Sequence, residues 1–292
     1  MSGGPSFGEA LGIAAIAGGL IFGSYFVAWR FLTGVQWRRA PRLPDEPIPS
    51  AWREIVERGV PLAGRLTASE REKLLRLVQV FLRDKHVEGC EGFEVTEEVR
   101  VTIAAQACLL LLHLDAGCYP GLRTVLVYPG TYQPRSPSWF KYDLGSTEAR
   151  LGESWRHGVV VLSWDAVAAG TANRADGQNV TLHEFAHQLD QEDGVVDGIP
   201  VLATPSAVRH WAAVIGRHYD DLVADAEHGR PSVLDEYGAK NKAEFFAVAT
   251  ETFFEQPEQL RQRHPELYEE LRQFYRQDPA ERPEGGGGAP PV

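Results

Sequence analysis

The sequence predicts an α+β fold that is mainly helical and contains a small β-sheet. Apolar residues recur at helical spacing in several stretches, whereas β-branched runs bounded by Gly or Pro occur at 125–128 and 159–164. A third observation is a run without charged residues from Ala10 to Trp29. This run predicts a transmembrane helix ahead of the folded domain, because about 20 helical residues reach across the roughly 30 Å core of a bilayer.

The composition sets limits on the class of protein. The chain has 292 residues, of which 43% are hydrophobic, and this is enough for one large domain with a proper core. A formal net charge of -11 argues against nucleic-acid binding, since nucleic-acid binders concentrate Lys and Arg on one face. The three cysteines lack paired CxxC spacing and therefore indicate neither a disulfide framework nor a cysteine zinc site.

The residues that flank the uncharged run predict its orientation. Glu9 precedes it, and the basic residues Arg30, Arg38, Arg39 and Arg42 follow it. Under the positive-inside rule these arginines place the downstream domain in the cytoplasm, which predicts a single-pass protein of the inner membrane. No basic region precedes the run, as a secretory signal would require. The alternative is that this Gly- and Ala-rich run is the buried or disordered N-terminus of a soluble cytoplasmic protein.

The remainder divides into short end segments, a linker and one domain. Residues 1–9 form a short N-terminal tail, and the Pro- and Arg-rich residues 30–49 predict a stiff linker. We expect the folded domain over residues 50–279. The last segment, 280–292, is rich in Gly and Pro and has little to bury, which predicts a disordered tail.

Capping residues and apolar spacing predict the helices of the domain. Thr67 to Glu70 has the pattern of a capping box that opens a helix, and a second helical stretch covers 96–112. Further helices are predicted at 178–191, 205–225 and 242–255, with a last one around 258–276. The strand at 159–164 is either an ordinary core strand or an edge strand along which an extended peptide pairs.

The helix predicted at 178–191 carries the motif H-E-x-x-H at residues 183–187. Residues four apart on a helix share a face, so His183 and His187 can both bind one metal ion, and zinc suits such ligands. Glu184 lies beside them in the position of a general base that does not bind the metal. The neighbouring residues are apolar and predict a buried helix, in which a histidine pair without a ligand would be costly.

A catalytic zinc ion takes three protein ligands and leaves one position for water, so a third ligand is expected downstream. The residues that follow His187 exclude a third histidine at the H-E-x-x-H-x-x-G-x-x-H spacing. The better candidate is Glu244, at the start of a predicted helix in which four phenylalanines would pack. We therefore expect one Zn²⁺ per chain, bound by His183, His187 and a glutamate of this second helix.

Two further acids are candidates for supporting this site. Asp190 lies three residues after His187 and can accept a hydrogen bond from an imidazole N–H, or it is a surface acid at the helix end. Glu251 lies two turns beyond Glu244 on the same face. It can support an imidazole in the same way, or it can bind the free α-amino group of a substrate.

These motifs are part of a longer resemblance. HEFAHQLD at 183–190, YGAKNKAEFFAV from Tyr237 and ETFFEQP at 251–257 resemble the Mlc titration factor A family of bacterial zinc peptidases. The likeness covers most of the chain from about residue 52 to 278. The family's active site is similar to that of the anthrax lethal factor catalytic domain, where a Tyr precedes the ligand Glu by the spacing of Tyr237 and Glu244. The N-terminal uncharged run is a departure from the family's soluble members.

The resemblance implies a zincin-like metallopeptidase domain that binds a peptide substrate and acts as an aminopeptidase on short peptides. It also implies His183, His187 and Glu244 as the ligands of the one Zn²⁺. In that mechanism Glu184 takes a proton from zinc-bound water and Tyr237 donates a hydrogen bond to the oxyanion. Without the resemblance, Tyr237 would be interpreted as a tyrosine packed on a surface loop. The family's name also implies an alternative, a regulatory protein that sequesters the transcriptional repressor Mlc. A specific endopeptidase similar to lethal factor is a third possibility.

Overall fold

The computed structural model describes residues 41–130, 158–172 and 177–282. These ranges contain a three-stranded sheet and nine α-helices, which confirms the predicted mainly helical α+β fold. The strands are β1 (His86–Gly89), β2 (Thr124–Tyr128) and β3 (Val159–Ser163). The helices are α1 (Ser50–Gly59), α2 (Ala68–Asp84), α3 (Glu97–Leu111), α4 (Trp164–Ala172), α5 (Val180–Asp190), α6 (Pro205–Glu227), α7 (Lys242–Glu255), α8 (Pro257–Arg263) and α9 (Pro265–Tyr275).

Local capping chemistry explains where several helices begin. The capping box at the start of α2 is confirmed, since the Thr67 side chain accepts from the Glu70 backbone and Glu70 accepts from the Thr67 N–H at 2.8 Å. Thr96 caps α3 in the same way, with its hydroxyl accepting from Val99 N–H at 3.3 Å. Both caps satisfy backbone donors that a helix leaves free at its N-terminus.

The sheet is parallel, with strand order β1-β2-β3. In its register Val87 is paired with Val125, and Val125 with Val160. Strand β1 has no counterpart among the predicted strands, because its four residues are too few to show an alternating pattern. Strand β3 ends at Ser163, and Trp164 begins α4. Within the described ranges β3 pairs with β2 alone, so it forms an edge of the sheet there.

The interior of the domain is built around α3, whose residues from Val101 to Leu111 are buried. This helix is apolar on all sides, as expected of a helix surrounded by protein. It packs against α1, α2 and α5. Phe185 of α5 reaches into the same core, where its ring centroid lies 5.7 Å from that of Phe81 and 4.8 Å from that of Tyr119. The helix with the H-E-x-x-H motif is therefore held rigidly in the interior.

The prediction of one last helix around 258–276 is wrong, because the chain forms α8 and α9 there. His264 separates them with φ -135° and ψ 63°, which is outside the helical region. Pro265 at the first position of α9 explains the break, since proline disfavours helical backbone in the residue before it and lacks an N–H to donate.

Parts of the predicted linker and tail lie on the domain surface. The Gln79 side-chain amide donates to the backbone carbonyls of Glu46 and Pro47, at 3.3 and 3.4 Å, along the side of α2. At the other end, Arg282 pairs with Glu70 at 2.8 Å. The predicted transmembrane helix at 10–29 lies outside the described residues. Among the residues that are described, no helix has both the length and the apolarity to cross a bilayer.

Candidate metal centre

The three predicted metal ligands come together where α5 packs against α7. His183 and His187 project from α5, and their Nε2 atoms lie 3.2 Å apart. Glu244 projects from the first turn of α7, and its Oε2 lies 3.0 Å from His183 Nε2 and 3.2 Å from His187 Nε2. Within the described part of the chain, this is the one group of at least three His, Cys, Asp or Glu side chains that converges closely enough to hold a metal ion.

The donor triangle has the dimensions of a tetrahedral metal site. With zinc–ligand bonds of about 2.0–2.1 Å, two ligand atoms of a tetrahedral ion stand about 3.3 Å apart. The three separations of 3.0–3.2 Å are close to this value. Two imidazole nitrogens and one carboxylate oxygen are also donors that suit zinc, and three of them leave one coordination position open.

The first turn of α7 presents Glu244 to the histidines. Asn241 caps this helix, and its side-chain oxygen accepts from the Glu244 backbone N–H at 3.0 Å. The carboxylate is buried, with 6% of the side chain exposed, and it lies at the end of the helix where the helix dipole favours negative charge. The phenylalanines of α7 are buried as expected, so the helix cannot easily rotate this carboxylate away.

Two further acids of α7 hold the start of α5. Asn179 caps α5 by accepting from Leu182 N–H at 3.1 Å. The Asn179 side-chain amide donates to Glu255 Oε1 at 3.0 Å, and its backbone N–H donates to Glu251 Oε2. The other oxygen of Glu251 lies 2.7 Å from His183 Nδ1. A carboxylate at Nδ1 favours the tautomer that leaves Nε2 free to bind a metal.

The carboxylates around His183 and His187 favour a positive charge at this point of the structure. Burial by itself would lower the pKa of His183, but the charge of Glu251 and the hydrogen bonds with Glu244 and Glu251 raise it well above its usual range. For Glu244, burial opposes ionisation, but the hydrogen bonds with the two histidines hold its pKa far below the ordinary value. A divalent cation supplies the charge that these groups otherwise obtain from a proton.

The two predicted catalytic side chains lie next to this triangle. Glu184 follows His183 on α5 and is half-buried; burial raises its pKa, and the two histidines oppose the rise. Tyr237 lies in a 3-10 turn (Glu236–Ala239), and its ring centroid is 5.8 Å from that of His183. Asp235 caps this turn by accepting from the Tyr237 N–H at 2.8 Å. The turn therefore places a phenol beside the ligand set.

Asp190 is fully buried at the C-terminal end of α5. Its Oδ2 accepts from the backbone N–H of Gly198 at 3.0 Å, which ties the end of the helix to the following loop. Its predicted role as an acceptor for an imidazole stays a prediction. Asn179 and Glu255 were missed by the sequence reasoning. Two signals point to them: Asn179 has a residue type favoured at helix N-caps, and Glu255 follows Glu251 by one helical turn.

The fold and this site define a class of protein, namely a helical metalloprotein with the donor set of a zincin-type peptidase: two histidines of one H-E-x-x-H helix and a glutamate from a second helix. Comparison with known proteins agrees with that class. Residues 35–276 match the family described as glucose-regulated metallo-peptidase M90. The chain therefore belongs to this family of metallopeptidases.

Several relatives are similar along most of their length. An uncharacterized protein of Synechocystis sp. is 39% identical over 264 residues, which cover 89% of this chain and 95% of the relative. Mlc titration factor A of Salmonella schwarzengrund is 31% identical over 84% of this chain and 92% of its own length. Mlc titration factor A of Salmonella typhi is 33% identical over 76% of this chain and 85% of its own. These matches confirm the resemblance inferred from the motifs.

Proposed function

We propose that this metallopeptidase uses one Zn²⁺, held by His183, His187 and Glu244, and that Glu184 is its general base. The observation that carries the proposal is the convergence of the three ligand atoms at 3.0–3.2 Å between two buried helices. Such a triangle of two imidazoles and a carboxylate fits zinc and leaves a place for a water molecule. When bound, the zinc ion supplies a Lewis acid that polarises the peptide carbonyl and acidifies water.

In this proposal the chain's own groups move the protons. Glu184 accepts a proton from the water whose oxygen attacks the carbonyl carbon, and it delivers that proton to the nitrogen of the leaving amine as the C–N bond breaks. The Tyr237 hydroxyl donates a hydrogen bond to the oxyanion that forms in between. Glu251 holds the His183 ring in place, since its carboxylate contacts Nδ1 at 2.7 Å. This contact favours the supporting role of Glu251 over binding of a substrate amine.

We further propose aminopeptidase-like action on short peptides. Among the described residues β3 pairs with β2 alone, and this edge position supports the pairing of an extended peptide with β3. A specific endopeptidase would instead accept peptides whose N-terminus is blocked.

The central test compares Glu184→Gln with the wild type in metal content and in hydrolysis of fluorogenic aminoacyl and peptide substrates. We expect a rate loss of about 10²- to 10⁴-fold with unchanged zinc content, because a general base is removed and the ligands remain. Glu57→Gln is the matched control, since Glu57 is exposed on α1. Full activity of Glu184→Gln would end this mechanism. Equal cleavage of free and N-acetylated peptides would contradict the aminopeptidase assignment and favour an endopeptidase.

A second candidate function is binding of a transcriptional repressor, and the observation that favours it is the name Mlc titration factor A carried by the relatives. The two functions can be separated by measuring the binding of purified Mlc to wild type and to Glu184→Gln. Equal binding by both, together with no peptidase activity in the wild type, would favour the regulatory function. Absence of binding with active peptidase would favour the enzymatic function.

For localisation we propose that residues 10–29 anchor the protein in the inner membrane with the catalytic domain in the cytoplasm. The proposal rests on the uncharged run and the arginines that follow it. Fractionation of cells should then recover the full chain in the membrane pellet after washing with high salt. Release by salt, or recovery in the supernatant, would instead indicate a soluble cytoplasmic protein.

A further inference from the structure

A second cavity lies at the C-terminal end of α5, away from the metal ligands. Its volume is about 230 Å³, and its walls come from the segment after α3, the end of α5, the loop before α6, and the helices α6 and α9. Neither the three ligands nor Glu184 and Tyr237 line it. The apolar part of its wall includes Leu114, Leu189, Leu202, Trp211 and Phe274. The polar part consists of Asp115, Glu192, Glu270, Gln273 and Arg276.

Glu192 is the unusual member of this lining. It lies in the 3-10 turn (Gln191–Asp193) directly after α5, and its Oε1 is buried without a hydrogen-bond partner among the described residues. A buried polar atom without a partner is costly, and such atoms in folded proteins call for a ligand, a water or a functional role. Burial, with Asp193 next to it, raises the pKa of Glu192 to about 8.

Acidic side chains outnumber basic ones in the lining of the cavity. Arg276 is paired at the rim with Asp115, at 2.6 Å, and both side chains are largely exposed. Glu270 is buried, and its Oε2 lies 3.3 Å from Nε2 of His210, a side chain that is 69% exposed. The arginine is therefore paired with its own partner, and the buried Glu270 and the half-buried Glu192 line a small space to which the described residues contribute no buried cation.

The apolar wall is rigid and aromatic. The ring centroids of Trp211 and Phe274 lie 5.3 Å apart in a T-shaped arrangement. The indole N–H of Trp211 donates to the Gly198 carbonyl at 2.9 Å, which fixes the ring. Aromatic rings attract organic cations through their faces and also accept apolar groups. The volume of 230 Å³ is below the roughly 300–1,000 Å³ of pockets for drug-sized ligands, so the occupant must be small.

From these features we infer that this cavity is a binding site for a small primary amine that carries an apolar group. The ammonium would pair with Glu192 and Glu270, and the apolar group would lie against Leu189, Trp211 and Phe274. A bare metal ion fits less well. Much of the wall is apolar, and among the described side chains the one close group of three metal-binding residues is the centre between α5 and α7. The inference does not depend on the peptidase chemistry proposed above.

Calorimetric titration of the full-length protein with benzylamine tests the inference, with benzyl alcohol as a neutral ligand of nearly the same shape. We expect saturable binding of one amine per chain that weakens about tenfold or more in Glu192→Gln, since a charged hydrogen bond is lost. Benzyl alcohol should bind more weakly than the amine by a similar factor. Glu57→Gln serves as the control and should bind the amine as the wild type does.

A second variant covers the case in which Glu192→Gln disturbs the fold. Ala207 lines the cavity from α6, and Ala207→Phe should fill the space and abolish amine binding. Each titration is repeated with Glu244→Ala to exclude binding of the amine to the metal. Three results would overturn the inference: no saturable binding of benzylamine, equal binding of amine and alcohol, or wild-type affinity in both folded variants.

Discussion

Two pairs of histidines in this molecule have nearly the same ring geometry. In the pair between α5 and α7, the ring centroids of His183 and His187 lie 4.9 Å apart with an interplanar angle of 77°. In the second pair, formed by His218 of α6 and His264 between α8 and α9, the centroids lie 5.2 Å apart at 81°. The nearest ring nitrogens are 3.2 Å apart in the first pair and 3.3 Å in the second.

The carboxylates around the two pairs differ. Glu244 and Glu251 contact the first pair at 2.7–3.2 Å and raise the pKa of His183 despite its burial. Burial lowers the pKa of both His218 and His264, and the nearby Glu266 is already paired with Arg217 at 2.7 Å. The difference is that Glu244 faces both imidazoles of the first pair, whereas among the described residues no carboxylate does so at the second pair. We therefore expect the first pair, and not the second, to bind a metal ion.

The strongest test of this comparison removes that carboxylate. In Glu244→Ala, the first pair loses the carboxylate proposed as the third ligand and resembles the second pair. We expect the variant to purify without stoichiometric zinc and without measurable peptidase activity, a larger loss than the 10- to 100-fold or so that follows removal of a residue that only supports a ligand. Metal analysis and activity assays measure the outcome.

The control for this experiment is Glu266→Ala, which removes an exposed acid beside the second pair and should leave zinc content and activity as in the wild type. Zinc retained at one ion per chain in Glu244→Ala would contradict the assignment of Glu244 as a ligand. In that case Glu244 would only contact the histidine pair, and a different residue would supply the third metal ligand.

A smaller effect is expected when the ligand triangle is kept and only its support is changed. In Glu251→Gln the amide replaces the carboxylate that contacts His183 Nδ1 at 2.7 Å. We expect zinc affinity to fall by about 10- to 100-fold, because the ring loses the partner that fixes its tautomer and orientation. Competition with a fluorescent chelator measures this change.

Saturating zinc should restore most of the activity of Glu251→Gln, and this separates a supporting residue from a direct ligand. Glu269→Gln is a suitable control, since Glu269 is an α9 acid that pairs with Arg272 at the surface. Unchanged zinc affinity in Glu251→Gln would show that the buried contact with His183 does not contribute to metal binding.

The comparison also shows how far the sequence could predict this site. Helical periodicity alone brings His183 and His187 of the H-E-x-x-H motif together, so this part of the site could be predicted from the sequence. Glu244 and Glu251 lie on the same helical face, and which of them reaches the metal depends on how α7 is shifted along α5. The position at a helix start made Glu244 a candidate, and the family resemblance implied it as the ligand. The 3.0 and 3.2 Å distances to the two histidines agree with that prediction.

Contacts between residues far apart in the sequence were harder to predict. Asn179 and Glu251 are 72 residues apart, and local spacing does not indicate that one donates to the other. The short strand β1 is defined by its pairing with β2 and not by its own four residues. Where local chemistry dominates, as in the capping box of Thr67 and Glu70, the prediction was confirmed.

The smallest effect is expected from the second histidine pair itself. In His218→Ala combined with His264→Ala, we expect zinc content to stay at one ion per chain and activity to change by no more than about twofold, as for most substitutions away from a functional site. The physical reason is that no carboxylate within the described part of the chain joins these two rings at hydrogen-bond or ion-pair distance, and burial favours their neutral forms. Zinc titration of wild type and double variant measures the outcome. If the wild type binds a second zinc ion that the double variant loses, paired imidazoles are sufficient in this protein, and the role assigned to the carboxylate at the first pair must be revised.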